Sequence, residues 1–214
     1  YFRSGAPVIL SNASWGIAMA IQTAILGHLG KTAVTANSIA TTVFQILTVL
    51  SYGAASASAV LIGKTVGEGK LDKVRQYAQT MQLLFLLLGL ATGAALFLCR
   101  DFVLSFYAIT PESRSLALAF IAVLSVTVVG TSYQMAVLTG IVRGGGDTRF
   151  VLFNDLIFMW GVVLPSSALA AFVFHLPPLM VFICLKSDQI LKCAVAAVKV
   201  NRGGWIRQLT RPAE

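Results

Sequence analysis

Polar and aromatic side chains recur at helical spacing inside three long apolar stretches of this chain. In residues 5–26 and 39–63 they are three or four positions apart, which places them on one helix face, and residues 116–142 carry a third such face. Amide side chains in an apolar run need partners or water, so these faces favour a hydrated, aromatic-containing cavity. For any single serine or threonine, close helix packing is the alternative. The candidate cavity residues are Asn12, Trp15, Met19, Gln22, Gln45, Tyr52, Tyr133 and Gln134.

Full charges inside the apolar stretches are few. Asp155 lies about one turn into residues 151–174, where it anchors the helix at the membrane interface, pairs with a loop arginine, or takes part in moving a proton or cation. Asp188 and Lys192 are four residues apart, so they share a helix face and are predicted to pair with each other. Lys186 is two residues from Asp188 and is expected to face elsewhere.

Six apolar stretches must position these side chains. Mean hydropathy is +0.83, and only 11% of residues are charged, against about 25% in soluble domains. Each stretch supplies the ~20 residues that a membrane-crossing helix needs, and backbone groups in lipid must bond within their own segment. The sequence therefore predicts an all-α polytopic membrane protein in which residues 1–214 form one six-helix lobe. The predicted spans are 5–26, 39–63, 77–99, 116–142, 151–174 and 177–199.

The distribution of positive charge predicts the orientation of these helices. The net charge is +8, and six spans return the chain to the side on which it starts. Most basic residues fall on that side, including a basic tail at residues 200–214, whereas only Lys31, Arg100 and Arg114 fall on the other. This asymmetry predicts a multi-pass protein of the plasma (inner) membrane with both termini cytoplasmic and the lipid bilayer as a partner. The basic residues lack interleaved aromatics, so no nucleic acid is expected.

The joint after the fourth stretch is rich in glycine. Its glycines permit positive φ and a tight reversal, while the phosphate-binding patterns GxxxxGK[ST] and GxGxxG are absent. In the fifth stretch, Pro165 removes one backbone hydrogen bond and predicts a kink. The joint consists of Arg143, Gly144, Gly145, Gly146, Asp147 and Thr148.

Catalytic and metal chemistry are not predicted. No nucleophile, acid or base with catalytic spacing is visible at membrane depth, so an enzyme is not expected. The three cysteines are not spaced as CxxC, and His28 and His175 stand alone at predicted outer joints. Neither a disulfide framework, a metal site nor an organic cofactor is therefore predicted.

The order of several short motifs resembles one transporter family. The first three are Gly5-Ala6-Pro7, Gly27-His28-Leu29-Gly30 and the glycines from Gly63 to Gly69. The other three are residues 140–150 (GIVRGGGDTRF), Leu185-Lys186-Ser187-Asp188 with Lys192, and Gly204-Trp205-Ile206-Arg207 with Thr210-Arg211. Together they cover nearly the whole chain, which resembles the C-terminal half of the multidrug and toxic compound extrusion (MATE) transporters.

This resemblance implies spans seven to twelve of a twelve-span antiporter. The partner is then an N-terminal six-helix lobe or a second copy of the chain. Such transporters alternate between outward-open and inward-open states and use a Na⁺ or H⁺ gradient to export small amphipathic organic cations. The candidate cavity residues would line the cleft that faces the partner lobe, with aromatic and thioether groups holding the cation and amides orienting it.

The resemblance also has a departure. Some members place acidic cation ligands in the spans that correspond here to 5–26, 39–63 and 116–142, and these spans contain no Asp or Glu. A cation site of that type is therefore not expected in this lobe, and coupling would depend on an acidic residue of the other lobe. Asp155 is the only local substitute.

Two other functions fit a similar architecture. A lipid-linked oligosaccharide flippase would need Arg and Lys in its cleft, and the three spans expected to form the cleft contain neither. In a non-transporting membrane assembly protein, the polar faces would instead be packed helix contacts.

Overall fold

The architecture is a bundle of long helices. The structure is a computed structural model that describes the backbone of residues 2–206 and the side chains of residues 9–206. The motif residues Arg207, Thr210 and Arg211 lie outside the described residues. Within the described part no strand occurs, which confirms the predicted all-α fold. The elements are α1 (Phe2–His28), α2 (Lys31–Gly67), α3 (Leu71–Leu104), α4 (Pro111–Gln134), π1 (Met135–Val142), α5 (Thr148–Leu156), π2 (Ile157–Val163), α6 (Leu164–Ala168), π3 (Leu169–Val173), α7 (Pro178–Lys186) and α8 (Asp188–Asn201).

Five segments within residues 2–206 are long and apolar enough to cross a membrane. They are α1 from Ile9 onward, α2, α3, α4 with π1, and the run from α5 to π3. The structure differs from the sequence prediction at the last span, 177–199, which is interrupted at Ser187 between α7 and α8. The Ser187 hydroxyl donates to the Cys184 carbonyl (2.8 Å), a local bond that competes with regular helix bonding. The sixth segment therefore has one irregular turn at Ser187, where the backbone keeps helical angles (φ −62°, ψ −29°).

The helices α2 and α3 extend well beyond their predicted bounds. They contain 37 and 34 residues, whereas the predictions 39–63 and 77–99 followed the apolar runs alone. Polar residues continue both helices until the turn at Glu68–Lys70, where Gly69 adopts a φ of 72° that favours glycine. Helix ends are thus set by turn residues and not by the edge of the apolar stretch.

The fourth and fifth segments contain π-helical turns, in which an N–H bonds to the carbonyl five residues earlier. At the end of π1 the Arg143 amide donates to the Leu138 carbonyl (3.0 Å). In the fifth segment π2 ends at Val163, two residues before Pro165. A proline ring clashes with the carbonyl four residues back in a regular helix, and the wider π turn relieves that clash. The helix consequently continues through Pro165.

Glycines allow close helix contacts on two faces of α4. A Cβ atom on Gly93 of α3 would collide with the Ser125 carbonyl of α4. A Cβ atom on Gly130 of α4 would lie 2.6 Å from the Gln189 carbonyl oxygen of α8. Small residues at such crossings let backbones approach, which is the usual way that membrane helices gain packing. Both α3 and α8 therefore pack directly against α4.

Contacts along α1 establish the direction of the helices. Near its start, the Ser11 hydroxyl donates to Asp155 of α5 (3.0 Å). At its end, the His28 ring lies against Phe172 of π3, with centroids 4.6 Å apart. The first and fifth segments therefore run in the same direction. Successive membrane segments alternate in direction, so the first and the fifth are expected to be parallel.

One face of the bundle collects the glycine-rich joint and the end of the chain. Gly146, which has a φ of 96°, forms an isolated antiparallel bridge with Ile206. The Trp205 ring is buried directly against Gly145, where no Cβ would fit. Of the three joint glycines, only Gly146 adopts a positive φ, and Gly145 is needed for space. The assignment of this face to the cytoplasm stays a prediction.

Candidate functional site

A cleft of about 400 Å³ opens in the lobe and receives side chains from every segment except α3. Residues of α1, α2, α4 and π1 form much of its surface, and α5, π2, α7 and α8 complete it. Two parts of this surface differ in chemistry. The neutral wall consists of Asn12, Trp15, Met19, Gln22, Thr41, Phe44, Gln45 and Tyr52. The charged wall consists of Arg143, Asp155, Lys186, Asp188, Gln189 and Lys192.

The neutral wall is formed by the first two polar faces found in the sequence. Trp15 is 51% exposed and Tyr52 is 49% exposed, so both rings remain open to the cleft. Gln22 is the exception, because it is buried and its amide nitrogen lies 3.2 Å from the Met159 sulfur. The wall thus offers aromatic faces, a thioether and amide groups without a carboxylate or a basic side chain.

The structure brings together seven of the eight predicted cavity residues. Gln134 joins the six that belong to the neutral wall, whereas Tyr133 is not among the lining residues. The Tyr133 hydroxyl instead donates to Gln82 Oε1 of α3 (2.7 Å). Adjacent residues on a helix point about 100° apart, so Tyr133 cannot share the direction of Gln134. Thr131, one turn before Gln134, does line the cleft.

Three charged side chains form a triad at the centre of the charged wall. The Lys192 ammonium lies 3.2 Å from Asp155 Oδ1 and 3.4 Å from Asp188 Oδ2. The predicted contact between Asp188 and Lys192 is therefore present. Asp155 meets Lys192 and not a loop arginine, and it also accepts a hydrogen bond from Ser11. The Lys192 and Asp188 side chains are only 6% and 3% exposed, against 32% for Asp155, so Asp155 is the member of the triad that is open to the cleft.

Hydrogen bonds continue the triad across the lobe to α4. Gln189 Oε1 accepts from Thr131 Oγ1 (2.9 Å) and from the Gln134 amide nitrogen. The Gln189 amide in turn lies 3.5 Å from Asp188 Oδ2. With Ser11 at the other end, this network links α1, α5, α8 and α4. Buried polar groups joined in this way favour one arrangement of the helices, because any displacement leaves several of them unsatisfied.

Two basic residues of the charged wall lack a carboxylate partner within the described residues. The Lys186 ammonium lies 5.5 Å from the centre of the buried Phe182 ring and forms no ion pair there. The Arg143 Nε atom is buried and has no hydrogen-bond acceptor. Three basic and two acidic side chains therefore line the cleft. The three spans expected to form the cleft contain no Lys or Arg, yet basic side chains line it, because the last segment and the joint also contribute to the cleft.

The glycine-rich joint holds a second ion pair outside the cleft. Asp147 is buried, and its Oδ2 atom is 2.9 Å from the Lys199 ammonium of α8. The same ammonium lies 4.4 Å from the centre of the Phe150 ring. Thr148 begins α5 directly after this contact. These residues join the start of α5 to the end of α8, close to the Trp205 contact with Gly145.

Sequence reasoning missed Lys186, Gln189 and Arg143 as cleft residues. Lys186 and Gln189 are three positions apart and frame Asp188, and polar groups at membrane depth are costly unless they face a cavity or a partner. That cost could have predicted that the polar residues of the last segment face the cleft. Among the described residues, no group of three or more His, Cys, Asp or Glu side chains is placed to hold a metal ion.

The sequence and the fold together identify the family. The sequence profile of the MatE family matches residues 7–169. This chain belongs to the MatE family. One MatE relative is a probable multidrug resistance protein NorM of Xanthomonas axonopodis pv. citri, which is 29% identical over 167 residues, or 78% of this chain and 36% of the relative. Another is the multidrug resistance protein MdtK of Yersinia pseudotuberculosis, 24% identical over 176 residues, or 82% of this chain and 38% of that protein.

Solved structures agree with the MatE assignment at the level of the fold. The outward-facing conformation of a multidrug resistance MATE family transporter of the MOP superfamily matches with a TM-score of 0.86 at 16% identity. The match covers 99% of this chain and 48% of that transporter. The expected half-transporter architecture is thereby confirmed. The chain spans a little over a third of the two named relatives and about half of the solved transporter.

Proposed function

We propose that this MatE chain forms one lobe of a multidrug antiporter that exports amphipathic organic cations by alternating access. The observation that carries the proposal is the cleft, in which half-exposed aromatic rings on the neutral wall face away from the lobe's own core. Large rings left open in this way provide a surface that a flat apolar compound or a partner lobe can cover. The multidrug resistance proteins among its relatives support the same function.

Substrate binding is assigned to the neutral wall. Trp15, Phe44 and Tyr52 present ring faces that attract an organic cation by up to about 2 kcal/mol when water is excluded. Met19 adapts its shape to different ligands, and the Asn12 and Gln45 amides orient polar substituents. Broad specificity is expected, because none of these contacts depends on one fixed ligand geometry.

Ion coupling is assigned to the triad, with Asp155 as the residue that the ion reaches. Two carboxylates share one ammonium, so one negative charge is left uncompensated within the triad. A proton or Na⁺ bound at Asp155 would neutralise that charge and weaken the attraction between α5 and α8. Such a change in helix contact is the kind of switch that alternating access requires.

A second six-helix lobe completes this proposed exporter. Parallel repeats in transporters are related by an axis normal to the membrane and bind substrate between them. This lobe would form the C-terminal half, paired with an N-terminal lobe or a second copy. Its termini would face the cytoplasm across the inner membrane.

A second candidate function is transport of a lipid-linked or other anionic amphipath, as in a flippase. Arg143, Lys186 and Lys192 on the charged wall favour this alternative, because basic groups at membrane depth suit phosphate or carboxylate. The neutral wall and the two carboxylates favour the exporter of organic cations.

The proposal is tested by Gln45→Leu in the natural polypeptide that carries this chain. Gln45 is exposed, lines the cleft and makes no side-chain hydrogen bond among the described contacts, so its loss should not affect folding. Efflux of a permanently charged fluorescent cation such as ethidium from intact cells is expected to fall about three- to tenfold, because about 1 kcal/mol of amide contact is removed. Expression and thermal stability should stay at the wild-type level.

The matched control is Gln76→Leu, which changes an exposed glutamine of α3 outside the cleft and should leave efflux unchanged. Equal efflux by wild type and Gln45→Leu would remove Gln45 from the pathway. No ethidium efflux by the wild type would reject the exporter itself.

A further inference from the structure

The three lysines of the last segment differ in their partners. Lys192 contacts both Asp155 and Asp188, and Lys199 contacts Asp147. Lys186 has no carboxylate within ion-pair distance in the described part of the chain, although it lies at the end of α7 in the interior of the segment. A lysine at membrane depth is costly unless its charge is compensated. Lys192 and Lys199 form direct ion pairs within the described residues, whereas Lys186 has only the longer-range attraction of Asp188.

The position of Lys186 restricts where its partner can be. It lines the cleft, and its ammonium lies beside Phe182, which is itself fully buried and stacked on Phe120 at 4.0 Å. Apolar rings on that side leave the cleft as the direction from which a partner can approach. A direct ion-pair partner of Lys186 is therefore expected to come from outside the lobe.

Arg143 adds a second basic group to the same cleft. Its Nε atom is buried at the end of π1 without an acceptor, which leaves a donor group unsatisfied. An unmade hydrogen bond of a buried charged donor costs more than that of a neutral one, and an oxyanion of a ligand would satisfy it. Because the triad has two acidic groups and one basic group, Lys186 and Arg143 bring the cleft to one basic side chain more than its acidic ones.

We propose that the cleft binds an anionic group, a carboxylate, sulfonate or phosphate, that belongs to an amphipathic ligand, with Lys186 as its principal partner and Arg143 as a second. This inference rests on the proposed function, in which the same cleft is the substrate path. The neutral wall then holds the apolar or aromatic body of the ligand while the charged wall holds its anionic group. The substrates of the exporter accordingly include zwitterionic and anionic amphipaths besides organic cations.

A matched pair of probes tests this inference. Acridine-9-carboxylate and 9-aminoacridine share one ring system and carry opposite charges at neutral pH. Their binding to the detergent-purified natural polypeptide is followed by fluorescence polarisation. Lys186→Gln is expected to weaken acridine-9-carboxylate binding at least tenfold, while 9-aminoacridine binding stays equal or becomes tighter. A tenfold loss corresponds to about 1.4 kcal/mol of binding free energy. Lys186→Arg keeps the positive charge, so it should retain carboxylate binding within about threefold.

Two control variants separate the anion site from other roles of positive charge. Lys64→Gln removes an exposed lysine at the end of α2 and should change neither affinity. Arg143→Gln should weaken carboxylate binding by a smaller factor than Lys186→Gln. If Lys186→Gln loses thermal stability but binds the carboxylate as the wild type does, Lys186 pairs with an acidic residue of the second lobe and the inference is overturned.

The same measurements distinguish failure of the inference from failure of the proposed function. Binding of 9-aminoacridine without binding of acridine-9-carboxylate would overturn the anion site and leave the cation exporter standing. Binding of neither probe would reject the cleft as the substrate path. If short-chain phosphatidylglycerol displaces the bound carboxylate and phosphatidylcholine does not, the anion site accepts a lipid headgroup. If neither lipid displaces it, the site serves dissolved amphipathic anions.

Discussion

The two walls of the cleft solve the problem of polar groups in a membrane in opposite ways. On the neutral wall, Asn12, Trp15, Gln45 and Tyr52 are exposed and carry no formal charge, so they stay available to a ligand. On the charged wall, the triad and Gln189 are tied to one another and to neighbouring helices. The neutral wall is therefore suited to recognition. The charged wall is suited to holding the lobe in one state until an ion or a ligand changes its charge.

The largest effect is expected from Lys192→Met on the charged wall. Removing the ammonium leaves the buried Asp188 and the partly exposed Asp155 without compensation, and breaking a buried ion pair in this way costs about 3–5 kcal/mol. The variant should show a much lower midpoint in a thermal unfolding assay that follows solubility in detergent. Gln45→Leu on the neutral wall is the control and should unfold at the wild-type temperature.

A combined variant sharpens this contrast. Asp155→Asn, Asp188→Asn and Lys192→Met together remove all three charges. Replacing every member of a buried ion cluster by uncharged side chains often changes the free energy of unfolding little. Thermal stability should recover, whereas gradient-driven export should not. Recovery of export would show that the triad serves structure alone.

An intermediate effect is expected from Gly130→Ala, which displaces the charged wall without changing its charges. The new Cβ would lie 2.6 Å from the Gln189 carbonyl oxygen, so α8 must move away from α4. Overpacking of this kind costs about 1–3 kcal/mol, and the bonds from Thr131 and Gln134 to Gln189 should weaken with it. Thermal unfolding measures the loss. Gly53→Ala in α2, where no atom lies within 4 Å of the new Cβ, is the matched control and should keep wild-type stability.

The smallest effect is expected from Glu68→Gln in the turn between α2 and α3, an ion pair remote from both walls. A hydrogen bond from Lys70 and its charge hold the pKa of the Glu68 carboxyl below its usual value. Any stability it contributes is therefore present above the pKa of the unfolded chain and is lost as the pH falls through the folded pKa. Both groups are solvated, and thermal midpoints of the variant and wild type should agree at pH 7. A clear difference would mean that exposed pairs matter as much as the triad.

The fold and the neutral wall were largely predictable from local sequence. Apolar length predicts membrane helices, and helical spacing alone places Trp15, Met19 and Gln22 on one face. Tyr133 shows the limit of that reasoning, because proximity in sequence to Gln134 does not imply a shared direction. The direction of each side chain has to be worked out from its own position on the helix.

The charged wall was less predictable, because it depends on contacts between segments. The i,i+4 spacing of Asp188 and Lys192 predicts their contact, but the approach of Asp155 depends on α5 and α8 packing side by side. The irregular turn at Ser187 was also not predicted, since a hydropathy count treats 177–199 as one apolar run. Pairing across 37 residues requires tertiary information that spacing within one helix does not contain.

The burial of Trp205 against Gly145 has a mechanical consequence. The indole nitrogen donates to the Val200 carbonyl (3.1 Å), so the ring is fixed to the end of α8 while its face rests on the joint before α5. A tilt of α8 must move that joint with it, and Arg143 lies only two residues before Gly145, where Trp205 contacts the joint. The floor of the cleft and the helix that carries Lys192 are therefore expected to move together. Spin labels at the exposed positions Arg149 and Asn201, which leave the contact between Trp205 and Gly145 intact, should keep a constant separation through the proposed transport cycle.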